Sequence, residues 1–221
     1  MVQHKTVKIL VAALTALGGI GCKAKTPTIA SPFADDFERV EPGPDWLDTS
    51  GNHAYGIASG KLHVEGAHNH PLWLRRKLPS DAVIEFDALS RSPAGDIKVE
   101  LYGDGESFDP DKGRYDPTSY MIILGGWNNS SSIISKLGEH DDAVKAARAR
   151  EAGQPPPVEL GRTYHFTITR KGGLMDWKLD GHPFLAWTDA SPLSGPGHEF
   201  FAVNNWESNV SFDNLRIRPA N

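Results

Sequence analysis

The chain has 221 residues with 23 basic and 28 acidic side chains, a formal net charge of −5. The first 21 residues hold two lysines and no acid, so the remainder carries 21 basic and 28 acidic residues, a net charge of −7. This excess of acid argues against a nucleic-acid partner, because phosphate backbones are bound by basic surfaces. A hydrophobic fraction of 39% and a charged fraction of 23% are typical of a folded globular protein and not of a disordered one.

The N-terminal segment has the pattern of a secretory signal peptide. Two lysines precede an apolar stretch, 9–20, which is too short to span a bilayer. Cys22, the single cysteine of the chain, follows where cleavage is expected. The segment resembles a bacterial lipoprotein lipobox, with Gly19 where that motif usually has leucine, and we expect Cys22 to be lipidated. We therefore predict a signal peptide over 1–21 and a lipidated tether over 22–32.

The residue after the cysteine bears on the cellular location of the protein. It is Lys23, not an acidic residue. By resemblance to the sorting rules of bacterial lipoproteins, this implies the outer membrane of the cell envelope. The lipid anchor is then the expected contact with the membrane, since no apolar run reaches the roughly 18 residues that a spanning helix needs.

The body of the chain, 33–221, predicts one domain of many short strands. Apolar residues alternate with polar ones in successive segments, and Gly, Pro, Asn and Asp separate these segments. About a dozen strands at spacings of roughly 8–14 residues favour an antiparallel sandwich over alternating strands and helices. Asp180 and Gly181 predict a hairpin turn. Segment 139–152 is rich in Ala and Arg and predicts the one short helix, in a loop at the rim of a cleft.

Five motifs, in order along the chain, resemble those of the concanavalin A-like lectin/glucanase superfamily. They are FADDF at 33–37, ASGKL at 58–62, DAVIEFDA at 81–88, WKLDG at 177–181 and WESNVSFDNLRI at 206–217. The chain is similar to bacterial families of sugar-utilisation clusters, including uncharacterised ones and 3-keto-disaccharide hydrolase-like domains. The resemblance implies an all-β jelly-roll sandwich of two antiparallel sheets, with a carbohydrate on the concave sheet. It also implies that the first and last strands are neighbours.

Two clusters of Trp and Asn are candidates for a carbohydrate site. Sugar binding needs aromatic faces that stack on pyranose C–H groups, and planar polar groups that bridge neighbouring hydroxyls. Trp127 and Asn128 follow one predicted strand, and Asn205 and Trp206 precede the last one, at positions where loops usually carry function. The alternative is that the tryptophans pack in the core and the asparagines form turns. The candidate ligand-binding set also includes Trp73, Arg75, Tyr102 and Tyr120.

Carboxylates are needed if the protein cleaves a glycosidic bond, in a pair about 5–9.5 Å apart. The laminarinase-like branch of the superfamily carries Glu-x-Asp-x-x-Glu, and this chain has Glu85 and Asp87 but Ser90 in the third position. We keep Asp87, Glu100 and Glu207 as catalytic candidates; a period of two places Glu100 on one strand face with Tyr102. The alternative is a solvated strand face, so whether the protein is an enzyme stays open. The acids that remain are Asp87, Asp96, Glu100 and Glu207.

Asp36 and Asp213 are candidate ligands for Ca²⁺. The resemblance places their strands side by side, and hard oxygen ligands at paired strand ends suit that ion. Hydrogen bonds that tie the two ends of the domain together are the alternative. No other cofactor is expected.

Three functions remain open from the sequence. The first is a surface lipoprotein whose sandwich domain binds a poly- or oligosaccharide. The second is a glycoside hydrolase or lyase that acts on polysaccharides with carboxylates in the concave groove. The third is a structural lipoprotein of the envelope that binds protein partners.

Overall fold

The computed structural model describes residues 26–49, 51, 53–107 and 114–221. The predicted signal peptide, Cys22 and the first part of the tether lie outside the described residues. The end of the tether packs on the domain, because Ile29 is buried and its backbone N–H donates to the Lys77 carbonyl oxygen at 2.9 Å. The ordered domain therefore includes residues that precede Phe33.

Fifteen strands lie within the described residues, and they are joined mostly by short turns. One short helical element, α1 (Gly126–Asn129), connects two of them, and a 3-10 turn covers Asp141–Ala143. In the part of the chain that the structure describes, no helix is long and apolar enough to cross a membrane. The strands are β1 (Phe33–Asp35), β2 (Trp46–Asp48), β3 (Tyr55–Ala58), β4 (Lys61–Val64), β5 (Leu72–Leu74), β6 (Ala82–Ser90), β7 (Ile97–Gly103), β8 (Tyr120–Gly125), β9 (Ser131–Lys136), β10 (Val144–Ala149), β11 (Thr163–Lys171), β12 (Leu174–Leu179), β13 (His182–Thr188), β14 (Phe200–Asn204) and β15 (Val210–Pro219).

The strands form two antiparallel sheets. The eight-stranded sheet has the order β13, β12, β11, β6, β15, β4, β3, and β1 pairs with β15. The seven-stranded sheet has the order β10, β9, β8, β7, β14, β5, β2. The predicted two-sheet fold is confirmed, as is the pairing of the first strand with the last, in which Phe33 lies opposite Ile217. The predicted hairpin at Asp180 and Gly181 joins β12 to β13.

The main core lies between the sheets and follows the period of two seen in the sequence. Phe86 on β6 stacks on Phe166 of β11 with ring centroids 4.6 Å apart, and Trp177 of β12 continues the stack at 5.5 Å. A second, smaller apolar cluster covers the other face of the seven-stranded sheet, where Met121 and Ile123 of β8 pack together with β9. The centre of this sheet is therefore buried on both faces, which positions the site described below.

Segment 139–152 does not form the predicted helix. Its second half is the edge strand β10, which pairs with β9 in antiparallel register. The helix propensity of Ala and Arg is a weak local preference, below about 1 kcal/mol per residue. Pairing satisfies the backbone donors and acceptors of β9, and Ala146 packs against the main core. These long-range contacts outweigh the local preference.

Candidate functional site

A cleft of about 430 Å³ opens where β7 begins and β8 ends. Lys98 and Ile123 lie opposite each other in the two strands and form its floor. Trp127 and Trp206 come from two separate loops, and the two residues are 40% and 50% exposed at the cleft. The polar residues that line it are Asn69, Asp96, Asn128, Glu139, His140, Glu207 and Ser208.

The turn that carries Trp127 has an unusual backbone. Trp127 and Asn128 have left-handed conformations, with φ of 51° and 55°. The side chain of the buried Asn129 braces the turn: its Nδ2 donates to the Val158 carbonyl oxygen at 2.6 Å, and its Oδ1 accepts the Val158 N–H at 2.9 Å. A left-handed tryptophan costs on the order of 1–2 kcal/mol, and such conformations concentrate at functional sites. The turn leaves Trp127 and Asn128 exposed to the cleft.

The loop that carries Trp206 is held from below by buried polar groups. The backbone N–H of Trp206 donates to Asp96 Oδ2 at 2.8 Å. Asn205 is fully buried, accepts the Ala67 N–H at 3.1 Å and donates to the Ser208 carbonyl oxygen, so it braces the loop and does not face the cleft. The ring of His68 lies edge-on to Trp206, with centroids 4.8 Å apart.

Lys98 connects the supports of both tryptophans. Its side chain is 1% exposed, and Nζ donates to Glu139 Oε1 at 2.7 Å and to Asn69 Oδ1. The backbone of Asn69 bonds to the Trp206 loop, while His140, next to Glu139, lies edge-on to Trp127 with centroids 5.7 Å apart. One buried ammonium group therefore fixes the loops on which both aromatic side chains rest.

Glu100 lies two residues further along β7 and is fully buried. Its carboxylate accepts hydrogen bonds from Tyr115 Oη and Ser119 Oγ, both at 2.6 Å, and from Asn204 Nδ2 at 2.7 Å. Burial raises the pKa of Glu100 above its ordinary value of 4.5, although the hydrogen bonds oppose this. Three donors occupy the group, so it is a structural carboxylate covered by the segment before β8.

The candidate catalytic acids are not brought together. Asp87 belongs to the eight-stranded sheet, where His165 Nδ1 lies 2.7 Å from its Oδ1 and Asn214 Nδ2 donates to its Oδ2 at 2.8 Å. Glu100 is buried, and only Glu207 lines the cleft. A catalytic pair drawn from these three acids is therefore inconsistent with the fold, since each lies in a different environment.

Besides Asn205, four of the predicted ligand-binding residues lie away from the cleft. Trp73 is fully buried in the seven-stranded sheet, and the exposed Arg75 follows the same strand without lining the cleft. Tyr102 lies in the main core beneath the guanidinium of Arg170, 3.9 Å from its ring centroid, and Tyr120 Oη donates to Asp189 Oδ2 at 2.7 Å.

The prediction that Glu100 and Tyr102 lie on one face of their strand is wrong. Tyr102 has a φ of 58°, and the register between β7 and β14 shifts near the same point. This irregularity breaks the alternation, so Glu100 faces away from the main core and Tyr102 faces into it.

The pair proposed for Ca²⁺ is engaged in other contacts. The carboxylate of Asp213 forms an ion pair with the Lys61 ammonium, and Asp36 Oδ1 accepts the Glu38 N–H at 3.2 Å. Within the described ranges, no group of three or more His, Cys, Asp or Glu side chains is placed to hold a metal ion. The carboxylates of Asp36 and Asp213 are thus both occupied by contacts within the protein.

Solved structures of similar fold include both glycan-binding and glycan-cleaving proteins. The carbohydrate-binding module CBM66 from Bacillus subtilis is 15% identical, with a TM-score of 0.59, over 80% of this chain and 98% of its own. The exoplasmic/lumenal domain of VIP36, in a Ca²⁺/Man3GlcNAc-bound form, is 11% identical, with a TM-score of 0.60, over 85% of this chain and 88% of its own. The endo-β-1,3-glucanase from Pyrococcus furiosus is 12% identical, with a TM-score of 0.55, over 85% of this chain and 93% of its own. The chain thus has the concanavalin A-like sandwich fold, as the sequence motifs implied.

A family model described as "Farnesoic acid 0-methyl transferase" matches residues 107–216. The match begins before β8 and ends within β15, so it takes in strands of both sheets but leaves out β1 to β7. A comparison with curated proteins found no match.

Proposed function

We propose that this protein binds a carbohydrate in the cleft between β7, β8 and the two tryptophan loops. The observation that carries the proposal is the convergence of Trp127 and Trp206, two half-exposed tryptophans from distant parts of the chain, on one cleft of about 430 Å³. Amide and carboxylate groups of Asn128 and Asp96 line the same cleft. Apolar faces with a few directed polar groups are the usual composition of a small-ligand site.

The support beneath the tryptophans favours binding over accidental exposure. Each indole contacts an edge-on histidine ring, and each of these histidines, His68 and His140, is next to a residue that Lys98 binds. A side chain that is already fixed loses less conformational entropy when a ligand binds. Stacking with bridging hydrogen bonds gives affinities in the micromolar-to-millimolar range, roughly −4 to −8 kcal/mol.

Glycan binding by the tryptophan variants tests the proposal. Trp127→Ala and Trp206→Ala should each weaken binding on a glycan array, and in titration calorimetry with the bound oligosaccharides, by about tenfold or more. Leu160→Ala is the control, because Leu160 is 63% exposed and does not line the cleft. Unchanged binding by both tryptophan variants would refute the site assignment.

Hydrolysis in the same cleft is a second candidate, favoured by the presence of both Asp96 and Glu207 there. Incubation with soluble polysaccharides, β-1,3-glucan among them, should then release new reducing ends. Asp96→Asn and Glu207→Gln should abolish that release while the domain still binds. Binding without release leaves the protein as a carbohydrate-binding domain.

We further propose that Cys22 is lipidated and holds the domain at the outer membrane of a bacterial envelope. The support is the signal-peptide pattern, the single cysteine and Lys23 after it. Mass spectrometry of the purified protein should show acyl chains on Cys22, and Cys22→Ala should release the protein from the membrane fraction. Identical fractionation of the variant would contradict the anchor.

A further inference from the structure

We infer that the cleft accepts uncharged glycans or glycans with amino sugars, and rejects those that carry carboxylate or sulfate groups. This inference rests on the proposed carbohydrate site and names the ligand class of that site. It is carried by the balance of charge in the cleft and by the hydrogen-bonding capacity of its carboxylates.

The charges that line the cleft are unequal. Asp96, Glu139 and Glu207 contribute three carboxylates, whereas Lys98 is the one Lys or Arg side chain among the lining residues that the structure describes. Glu139 and Lys98 neutralise each other at 2.7 Å. Asp96 and Glu207 have no ion-pair partner within the described residues, so the cleft keeps an excess of negative charge.

The single cation is not free to receive an anion. Lys98 Nζ donates two of its three protons to Glu139 and Asn69, and its side chain is 1% exposed. A ligand carboxylate or sulfate would have to compete with Glu139 for that ammonium. The competition takes place beside Asp96, whose charge repels the anion.

The two carboxylates without an ion-pair partner in the described part of the chain, Asp96 and Glu207, have the same preference in their hydrogen bonding. Asp96 gives one carboxylate oxygen to the Trp206 N–H, and Glu207 is exposed at the cleft. Ionised carboxylates only accept hydrogen bonds. Sugar hydroxyls can donate to them, and an ammonium group on an amino sugar can do so with the added strength of its charge. A uronate or sulfate offers further acceptors and repulsion.

The experiment is a comparison of oligosaccharides that share a backbone and differ in charge. An array holds each backbone in a neutral form, an amino-sugar form, and a uronate or sulfated form, in buffer of about 0.01 M ionic strength, where the Debye length is about 30 Å. On any backbone that binds, the neutral or amino form should bind at least about tenfold more tightly than the anionic form. At about 0.15 M ionic strength this ratio should narrow, because screening shortens the Debye length to about 8 Å.

Charge-neutralising variants make the test specific to the cleft. Asp96→Asn and Glu207→Gln should each lower the ratio of the affinity for the neutral or amino form to the affinity for the anionic form. The double variant should lower this affinity ratio to about threefold or less. Glu151→Gln removes one acid outside the cleft and should leave the ratio unchanged. Equal or tighter binding of anionic forms by the parent protein overturns the inference and leaves the carbohydrate site standing. Binding of no glycan on any backbone overturns the carbohydrate site itself.

Discussion

Lys98→Met tests whether the buried ammonium organises the cleft. Methionine keeps an unbranched apolar stem of similar length, so packing against β8 is largely preserved. The change removes the hydrogen bonds to Glu139 and Asn69 and leaves the carboxylate of Glu139 without its cation.

The size of the effect follows from the burial of the two partners. Breaking a buried ion pair by removal of one partner costs about 3–5 kcal/mol. The side chain of Lys98 is 1% exposed and that of Glu139 is 15% exposed. Glu139 can therefore recover some hydration in the Lys98→Met variant, which places the expected loss near the lower end, about 3 kcal/mol. Glu139→Gln leaves the more deeply buried charge unpaired, so it should destabilise the domain at least as much.

Urea unfolding of the parent, the two single variants and the double variant measures these differences. With a slope of about 2 kcal/mol/M, a loss of about 3 kcal/mol lowers the unfolding midpoint by roughly 1.5 M. The double variant should be more stable than the sum of the single effects predicts, because no charge is left unpaired in it. Acrylamide quenching of tryptophan fluorescence in the folded Lys98→Met variant should also increase. A loss below about 1 kcal/mol, or strictly additive effects, would refute the proposed role of the ammonium.

Two further changes probe the covered face of the seven-stranded sheet. Gly103→Ala should lower the free energy of unfolding by about 1–3 kcal/mol, since the new Cβ would lie 2.3 Å from a ring atom of Trp73. Gly56→Ala is the control: its Cβ meets nothing within 4 Å, so the free energy of unfolding should change by no more than about 0.5 kcal/mol. Glu100→Gln should change the pH dependence of the melting temperature: burial raises the pKa of Glu100, so its contribution is complete below the unfolded-state pKa and is lost as pH rises through the folded-state pKa. The Glu100→Gln variant should lack this loss of stability. The assignment would be contradicted if the melting temperatures of the parent and the variant changed in parallel from about pH 4 to pH 8.

The strands were predictable because burial between two sheets imposes a period of two, and most segments obey it. The errors have physical causes that this period does not contain. β10 forms because β9 needs a partner, a long-range requirement that overrides the local preference of Ala and Arg. Tyr102 turns inward because a local irregularity breaks the alternation of β7. Trp73 is buried although alternation predicts an exposed face at its position. The pattern along one strand does not show whether another segment covers that face.

The site was only partly predictable. Trp127 and Trp206 were found as aromatic residues at strand ends, but sequence gives no distance between loops, so their convergence on one cleft comes from the structure. Asn205 has the residue type of a ligand contact and acts as a loop brace, since its carboxamide is used by the backbone of its neighbours. Lys98 was missed because a lysine in an alternating strand has the pattern of a solvated face.

The sequence does hold one signal that points to Lys98. The segment YMIILG of β8 is a continuous apolar run, the pattern of a strand that is buried on both faces. A strand hydrogen-bonded to it shares those faces, so polar residues that alternate along β7 must be covered as well, and a covered lysine requires a partner. Continuity of apolar residues in one strand thus predicts buried charge in its neighbour. In this chain that reasoning leads to Lys98, and through Glu139 and Asn69 to the segments that contact both tryptophans.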